Sequence, residues 1–425
     1  MERYSEYKDS GVQWLGEIPK HWEIKKAKYI WQELFSLSEK GNEGLLSVSQ
    51  NDGITKARND SRSESLIGYK KVSKDNLVIN IMLAWMGGLG VSAYDGIVSP
   101  AYCVYKLTDD YNPKFMHYLY KTPQYLAEFA RRSTGVIPSR WRMYTDDFGQ
   151  VLTIIPPFPE QQSIAAYLDA ATVKIDKAIA QQQKVIDLLN ERKQIIINHA
   201  VTKGFNPNFS MKDSGMEWIG KIPGHWEQLP LKYVFEIRNG YTPSKNNKSY
   251  WTNGTIPWYR MEDIRKSGRI LNESIQYVTH KAVNGKGLFK AGSYIMAICT
   301  ASIGEHAMLI ADSLANQQFA NFNIRKSLVE DFDPMYLFYF MYVVGDFCRN
   351  NANSTCFQYV DMEALKRFPI LKPSKEEQKC IVAYLDKGLK KLNTALEQTK
   401  DRIVLLQERK QIIINEVVTG KVKVS

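Results

Sequence analysis

Apolar and small residues recur at alternating three- and four-residue spacing along Glu160–Gly204, at Ile164, Leu168, Ala171, Ile175, Ala178, Val185, Leu189 and Ile196. That spacing predicts one long helix with a coiled-coil seam. Gln182 and Arg192 interrupt the seam. The pattern returns 217 positions later along Glu377–Lys421, at Ile381, Leu385, Gly388, Leu392, Ala395, Leu406 and Ile413, broken by Thr399, Arg402 and Arg409. The block ERKQIIIN is identical at Glu191–Asn198 and Glu408–Asn415. Neither copy has a proline beyond its first turn, so nothing inside it breaks the helix. Each is a rod roughly 60 Å long at about 1.5 Å per residue. So narrow a stripe cannot bury itself. The obvious partner is the other copy, and two copies in one chain imply a pseudo-twofold axis that sets the rods antiparallel.

A second repeat precedes each variable region. KDSGVQWLGEIPKHWE (Lys8–Glu23) matches KDSGMEWIGKIPGHWE (Lys212–Glu227) at eleven of sixteen positions. Paired tryptophans, Trp14 with Trp22 and Trp218 with Trp226, flank an Ile-Pro turn in each. This small extended clasp either packs internally or offers a surface to a partner protein. The order is therefore clasp, variable region, helix, twice over, with Asn206-Pro207-Asn208 as a short polar joint. Residues 1–159 hold the first clasp and head, 160–204 the first rod, 205–376 the second clasp and head, and 377–425 the second rod and tail.

Both heads read as mixed α/β. The first offers strands at Leu45–Ser49, Asn76–Leu83 and Ile97–Leu107, a glycine-rich turn at Ala84–Gly90 and an amphipathic helix at Pro113–Ala130. The second begins at Val234–Lys245, turns into Tyr250–Ile264, continues through strand-like Gly292–Gly304 and Ala307–Asp312 and then Asn316–Ile324, and ends in a helix from Pro334. The fold class is α+β: two mixed α/β heads separated by two long antiparallel coiled-coil helices, with a pseudo-twofold internal duplication.

Composition narrows the partners. The 425 residues are 44% hydrophobic and carry a net charge of +11, which favours a polyanion. Cys103, Cys299, Cys348, Cys356 and Cys380 are scattered and odd in number, as expected of a reducing cytoplasm rather than a disulfide framework or zinc site. The most apolar run, Met335–Val344, is about half of what a membrane span needs and reads as a buried helix.

Catalytic signatures are missing: the sequence has no phosphate-cradling G-x-x-x-x-G-K-[ST] and no H-E-x-x-H. Asn206-Pro207-Asn208-Phe209 falls short of the tetrapeptide that holds an amino group in DNA amino-methyltransferases. The carboxylate pairs Asp146/Asp147 and Glu262/Asp263 read as solvated, and His21 and His225 as structural. The heads instead offer cations, amides and aromatics on loops. In the first these are Arg131, Arg132, Ser139, Arg140, Trp141, Arg142 and Tyr144. In the second they are Tyr241, Thr242, Ser244, Lys245 and Lys248, then Tyr259 and Arg260, then Asn353, Ser354, Thr355 and Gln358. Arginine forks read guanine or clamp phosphates, aromatics stack, and short amides and hydroxyls reach base edges.

These features resemble the DNA specificity subunit of type I restriction-modification systems. Its pattern is a W-x-G-x-I-P-x-x-W clasp, a target-recognition domain, and a P-P-x-x-E-Q-x-x-I-A-x-Y-L-D entry into a long helix, all repeated. This chain has PPFPEQQSIAAYLD at Pro156–Asp169 and KPSKEEQKCIVAYLD at Lys372–Asp386; the second copy lacks the double proline and has Val382 for alanine. GYTPSK, IPWYRMEDI, TASIGEHAML and NQQFANF look like successive motifs of the recognition domain, and LLSVSQNDGI and DGIVSPAYCVY like those of a sibling class.

The resemblance implies a non-catalytic, cytoplasmic subunit that binds no cofactor itself. Two modification subunits would dock on rods and clasps, with Trp14, Trp22, Trp218, Trp226, Arg192 and Arg409 as candidate contacts. They would use S-adenosylmethionine to methylate adenine N6, and restriction subunits using ATP and Mg²⁺ would join them. Each head would read half of a bipartite asymmetric DNA site, and the rods would set the spacer. The alternatives are a specificity subunit whose modification and cleavage functions share one partner chain, an architectural coiled-coil protein, and a stand-alone enzyme.

Overall fold

Each head is tied off where the chain enters and leaves it. Strand Glu23–Lys26 pairs antiparallel with Leu152–Ile155, and Glu227–Pro230 pairs antiparallel with Pro369–Lys372. Pro230 and Pro369 face each other at one end of the second pair, where a missing N–H costs least. In the computed structural model, described for residues 2–424 except 51–52, 58–64, 138–140, 207, 218 and 353–358, these necks make the heads insertions in a helical frame. The chain divides into two compact units, Met1–Gln183 with Lys400–Ser425, and Lys184–Thr399. Each unit owns one clasp, one head and half of each rod.

The rods run Phe158–Lys203 and Lys375–Val418. Within each unit their halves lie antiparallel. In the first unit Lys410 Nζ donates to Asp176 at 2.7 Å, while Ile164 and Leu168 share a core with Ile414, Val417 and Val418. In the second, Lys193 Nζ donates to Asn393 Oδ1 at 3.0 Å, and Ile197, Ala200 and Val201 share a core with Ile381 and Leu385. The two polar ties are one contact made twice, because Asp176 and Lys193 stand 217 positions before Asn393 and Lys410.

Burial corrects the expected seam by one residue past the first turns. Ile186, Ile197, Leu389, Leu396 and Ile414 are buried, whereas Val185 and Gly388 are exposed and Ile196, Ala395 and Ile413 only partly covered. The stripe passes from Ile164 to Ile197, and from Ile381 to Ile414, in nine steps averaging roughly 3.7 residues. That is nearer the pitch of a straight helix than a heptad repeat. Thr399 belongs to the stripe and does not interrupt it. Its buried hydroxyl is satisfied by the Ala395 carbonyl at 2.7 Å.

The helix-entry motif is a clamp. Glu160 accepts from the Trp22 indole at 3.2 Å, from His21 Nε2 at 2.8 Å and from the Tyr4 hydroxyl. Glu377 repeats this with Trp226 at 3.4 Å and His225 at 2.9 Å. Burial opposes the Glu377 charge, but the bonds from His225, Trp226 and the Ser374 backbone outweigh it and hold its pKa below the usual carboxylate value. Gln161 accepts from the Asn112 backbone at 2.9 Å, and Gln378 from the Asp333 backbone at 2.7 Å. Asn112 and Asp333 each cap a head helix whose first residue is proline. Asp169 and Asp386 then take the Tyr118 and Tyr339 hydroxyls at 2.8 and 2.5 Å. Clasp, head and rod are thus locked by three polar side chains in each copy.

Among the described residues the first head has a sheet in the order Trp31–Glu33, Tyr102–Leu107, Leu77–Asn80, Leu89–Val91. Two expected elements are split by proline chemistry. Ile97–Leu107 breaks at Ser99-Pro100 into Gly96–Val98 and Tyr102–Leu107, and Pro113–Ala130 breaks before Pro123 into Pro113–Tyr120 and Pro123–Arg132. The second head has the sheet order Phe235–Asn239, Phe319–Ile324, Tyr294–Ala297, His306–Leu309, Ile270–Leu271. The apolar run lies in the helix Pro334–Asn350, buried on most sides. No helix among the described residues is long and apolar enough to cross a membrane.

Candidate nucleic-acid interface

In the first head the arginine-rich stretch folds back on itself. Thr134 and Arg142 exchange backbone hydrogen bonds at 3.0 and 2.9 Å, and the Met143 N–H donates to the Ile81 carbonyl at 2.9 Å. This sets Trp141 against Trp85, edge to face at 5.4 Å. Trp85 belongs to the glycine-rich turn, where Gly87 takes φ +87°, a conformation glycine adopts without steric cost. Lys121 Nζ staples that turn through the Gly87 carbonyl at 2.7 Å and the Gln50 carbonyl at 2.6 Å. Arg142 and Tyr144 are exposed beside it.

Arg131 and Arg132 have a different occupation. Both donate to Glu128, at 2.7 and 2.5 Å, and Glu128 is only 3% exposed. Burial disfavours its charge, yet the two guanidiniums hold its pKa below the usual value. Arg132 is thereby drawn into the fold. Arg131 keeps most of its side chain in solvent. Ser139 and Arg140 lie outside the described residues.

In the second head the polar loop is built on two indoles. Trp251 meets Trp258 edge to face at 5.1 Å and donates to the Ser244 carbonyl at 3.0 Å; Trp258 donates to the Tyr241 carbonyl at 3.1 Å. Exposed Lys245 and Lys248, with Trp251, Thr252 and Gln276, line a cavity of about 290 Å³. Ser244 is exposed. Tyr241 and Thr242 serve the loop itself: the Tyr241 hydroxyl donates to the Ala282 carbonyl at 2.8 Å, and Thr242 donates to Gln317 at 2.5 Å.

Several expected contacts are corrected by burial. Tyr259 is fully buried in the head. Arg260 is half-buried, lies over the Trp258 ring and pairs with Glu262 at 2.8 Å. Asp263, expected to be solvated, is buried and accepts from the Arg260 and Ile275 backbones, both at 2.7 Å. Trp22 and Trp226 are core residues clamped by Glu160 and Glu377, so neither presents a docking surface. Trp14 packs edge to face on Tyr125 at 5.0 Å. Arg192 and Arg409 are exposed on the rods. Trp218, Asn353, Ser354, Thr355 and Gln358 lie outside the described residues. The sequence reading missed Trp85, Thr252 and Gln276 as site residues. Only Trp85 left a signal, an aromatic beside a double glycine. No group of His, Cys, Asp and Glu among the described residues is placed to hold a metal ion.

A solved chain, described as showing complex assembly and conformational transition of the type I R-M system, shares the fold. It has a TM-score of 0.65 at 13% identity, over 95% of this chain and 99% of that one. Residues 223–404 match the family model of the type I restriction modification DNA specificity domain. The chain is 43% identical over 168 residues to the type I restriction enzyme EcoprrI specificity subunit of Escherichia coli, covering 38% of this chain and 42% of that one. It is 29% identical over 189 residues to the MjaIX specificity subunit of Methanocaldococcus jannaschii, covering 42% and 43%. The match thus spans less than half the length of those two relatives. A 23% identical match to the putative MjaX specificity subunit of the same archaeon covers 96% of both chains. The chain is thus similar to type I restriction enzyme specificity subunits along its length.

Proposed function

We propose that this chain is the DNA-reading, non-catalytic subunit of a type I restriction-modification assembly. Each head reads one half of a bipartite, asymmetric site, and the rods fix the unread spacer. The observation that carries this reading is the pairing of a duplicated frame with dissimilar heads, each presenting indoles and cations on loops held by the same clamp. Arg142 and Tyr144 serve one half-site; Ser244, Lys245, Lys248 and Trp251 serve the other. S-adenosylmethionine, ATP and Mg²⁺ belong to partner subunits, which supply the chemistry in the cytoplasm. A genome-wide map of methylated adenine, with the gene present and deleted, tests the reading. A two-part motif should vanish on deletion, and an unchanged map would refute the proposal.

The frame also offers a place for modification subunits. Leu188 and Ile195 on the first rod, and Leu405 and Ile412 on the second, are each more than half exposed. They occupy equivalent positions in the two copies, so two identical partners could each find the same apolar pair. We expect Leu188→Glu with Leu405→Glu to abolish co-purification of modification subunits while leaving thermal unfolding of the chain unchanged. Retained co-purification would move the docking surface elsewhere.

A further inference from the structure

The folded-back stretch of the first head carries an apolar pair that its own core does not use. Val136 is 97% exposed and Ile137 47% exposed, both lying just beyond the backbone bonds that join Thr134 to Arg142. Beside them the Trp85–Trp141 pair forms an aromatic base. That base is rigid, stapled by Lys121 and by the Met143–Ile81 backbone bond. An aliphatic pair left in water contributes nothing to folding and is free to meet a partner.

We propose that Val136 and Ile137 form a wedge that enters between stacked base pairs in the half-site of the first head, while Arg142 grips the neighbouring phosphate. The inference rests on the DNA-reading function proposed above and extends it to how the duplex is deformed. Duplex DNA suits this pair better than a protein does. Only two exposed aliphatic side chains are offered, near exposed Arg142, on a chain of net charge +11. Aliphatic side chains that part a base step kink the duplex and favour steps that unstack easily. Selection at that step would then come from deformability, with no hydrogen bond to a base edge. A parted step would also lower the cost of extruding a nearby adenine into a modification subunit.

The test uses the full chain assembled with its modification subunits, and duplexes carrying the site found by methylated-adenine mapping. 2-Aminopurine replaces single bases along each half-site, and its fluorescence reports unstacking. The variant is Val136→Ser with Ile137→Ser; both positions are solvent-exposed, and an unchanged melting curve verifies the fold. The wild type should show a fluorescence rise at one step in one half-site only. The variant should lose that rise and bind that half about tenfold more weakly, with the other half unaffected. Val136→Leu with Ile137→Leu should retain the rise. Sequence-selective binding with no rise in the wild type, or with an equal rise in the serine variant, overturns the wedge and leaves DNA reading intact. A wild type that binds no sequence selectively overturns both.

Discussion

Replacing Trp226 by alanine is expected to destabilise the second unit by about 3–5 kcal/mol, the usual cost of emptying a buried aromatic site. The indole is fully buried in a core that also holds Ile197, Ala200 and Val201 of the rod, Ile222 of the clasp and Leu231 of the head. Gly204, just past the end of the first rod with φ +67°, lies against the same ring. Trp22→Ala should have the same effect in the first unit, where Gly420 lies against Trp22 at the end of the second rod. Glu377→Ala should cost less, about 1–3 kcal/mol, by leaving the Trp226 N–H without its acceptor. Urea unfolding followed by far-ultraviolet dichroism measures all three. Midpoints that stay at the wild-type value would show that the clasps are ornaments on the frame, not its fasteners.

The second large effect concerns specificity and not stability. Four residues inserted after Gln182 and four after Thr399 should lengthen the spacer of the proposed target and leave both half-sites unchanged. The insertions fall at the division between the units, with Asp176–Lys410 on one side and Lys193–Asn393 on the other, so both ties survive. Each rod gains about one turn, roughly 6 Å. That corresponds to about one or two base pairs at roughly 3.4 Å each. Insertion into one rod alone slips the register between the ties and should abolish methylation. Methylome sequencing of cells carrying each variant reads both outcomes; an unaltered spacer in the doubly extended chain would remove the rods from the role of ruler.

The frame was legible in the sequence because its two copies keep one offset, so each validates the other. Within the rods the heptad assumption failed at Val185 and Gly388, since long straight helices drift from a seven-residue repeat and burial follows the true pitch. The heads hid a third repeat. Asn112-Pro113 with Tyr118, and Asp333-Pro334 with Tyr339, build equivalent capped helices on the rods. Their offset is 221 rather than 217, because the second copy has four fewer residues between this helix and its rod, so a search at constant spacing passes over them. Site residues were the least legible. Arg132 and Tyr259 are the residue types that meet nucleic acid, but Glu128 and the head's interior claim them first, and only tertiary packing decides that. Trp85 posed the converse problem: its turn left a faint signal, but the sequence does not say that Trp141 packs edge to face on it.

The doubled rod contact has a bearing on ancestry. Asp176 and Lys193 lie on the same helix, as do Asn393 and Lys410. A shorter chain ending after its first rod would therefore carry both members of the tie. Two such molecules lying head to tail could make it twice, an isologous joint of the kind that closes twofold dimers. Identical heads would confine that dimer to palindromes. Fusing two genes end to end lifts the restriction, because each reader can then drift while the joint between them is inherited intact.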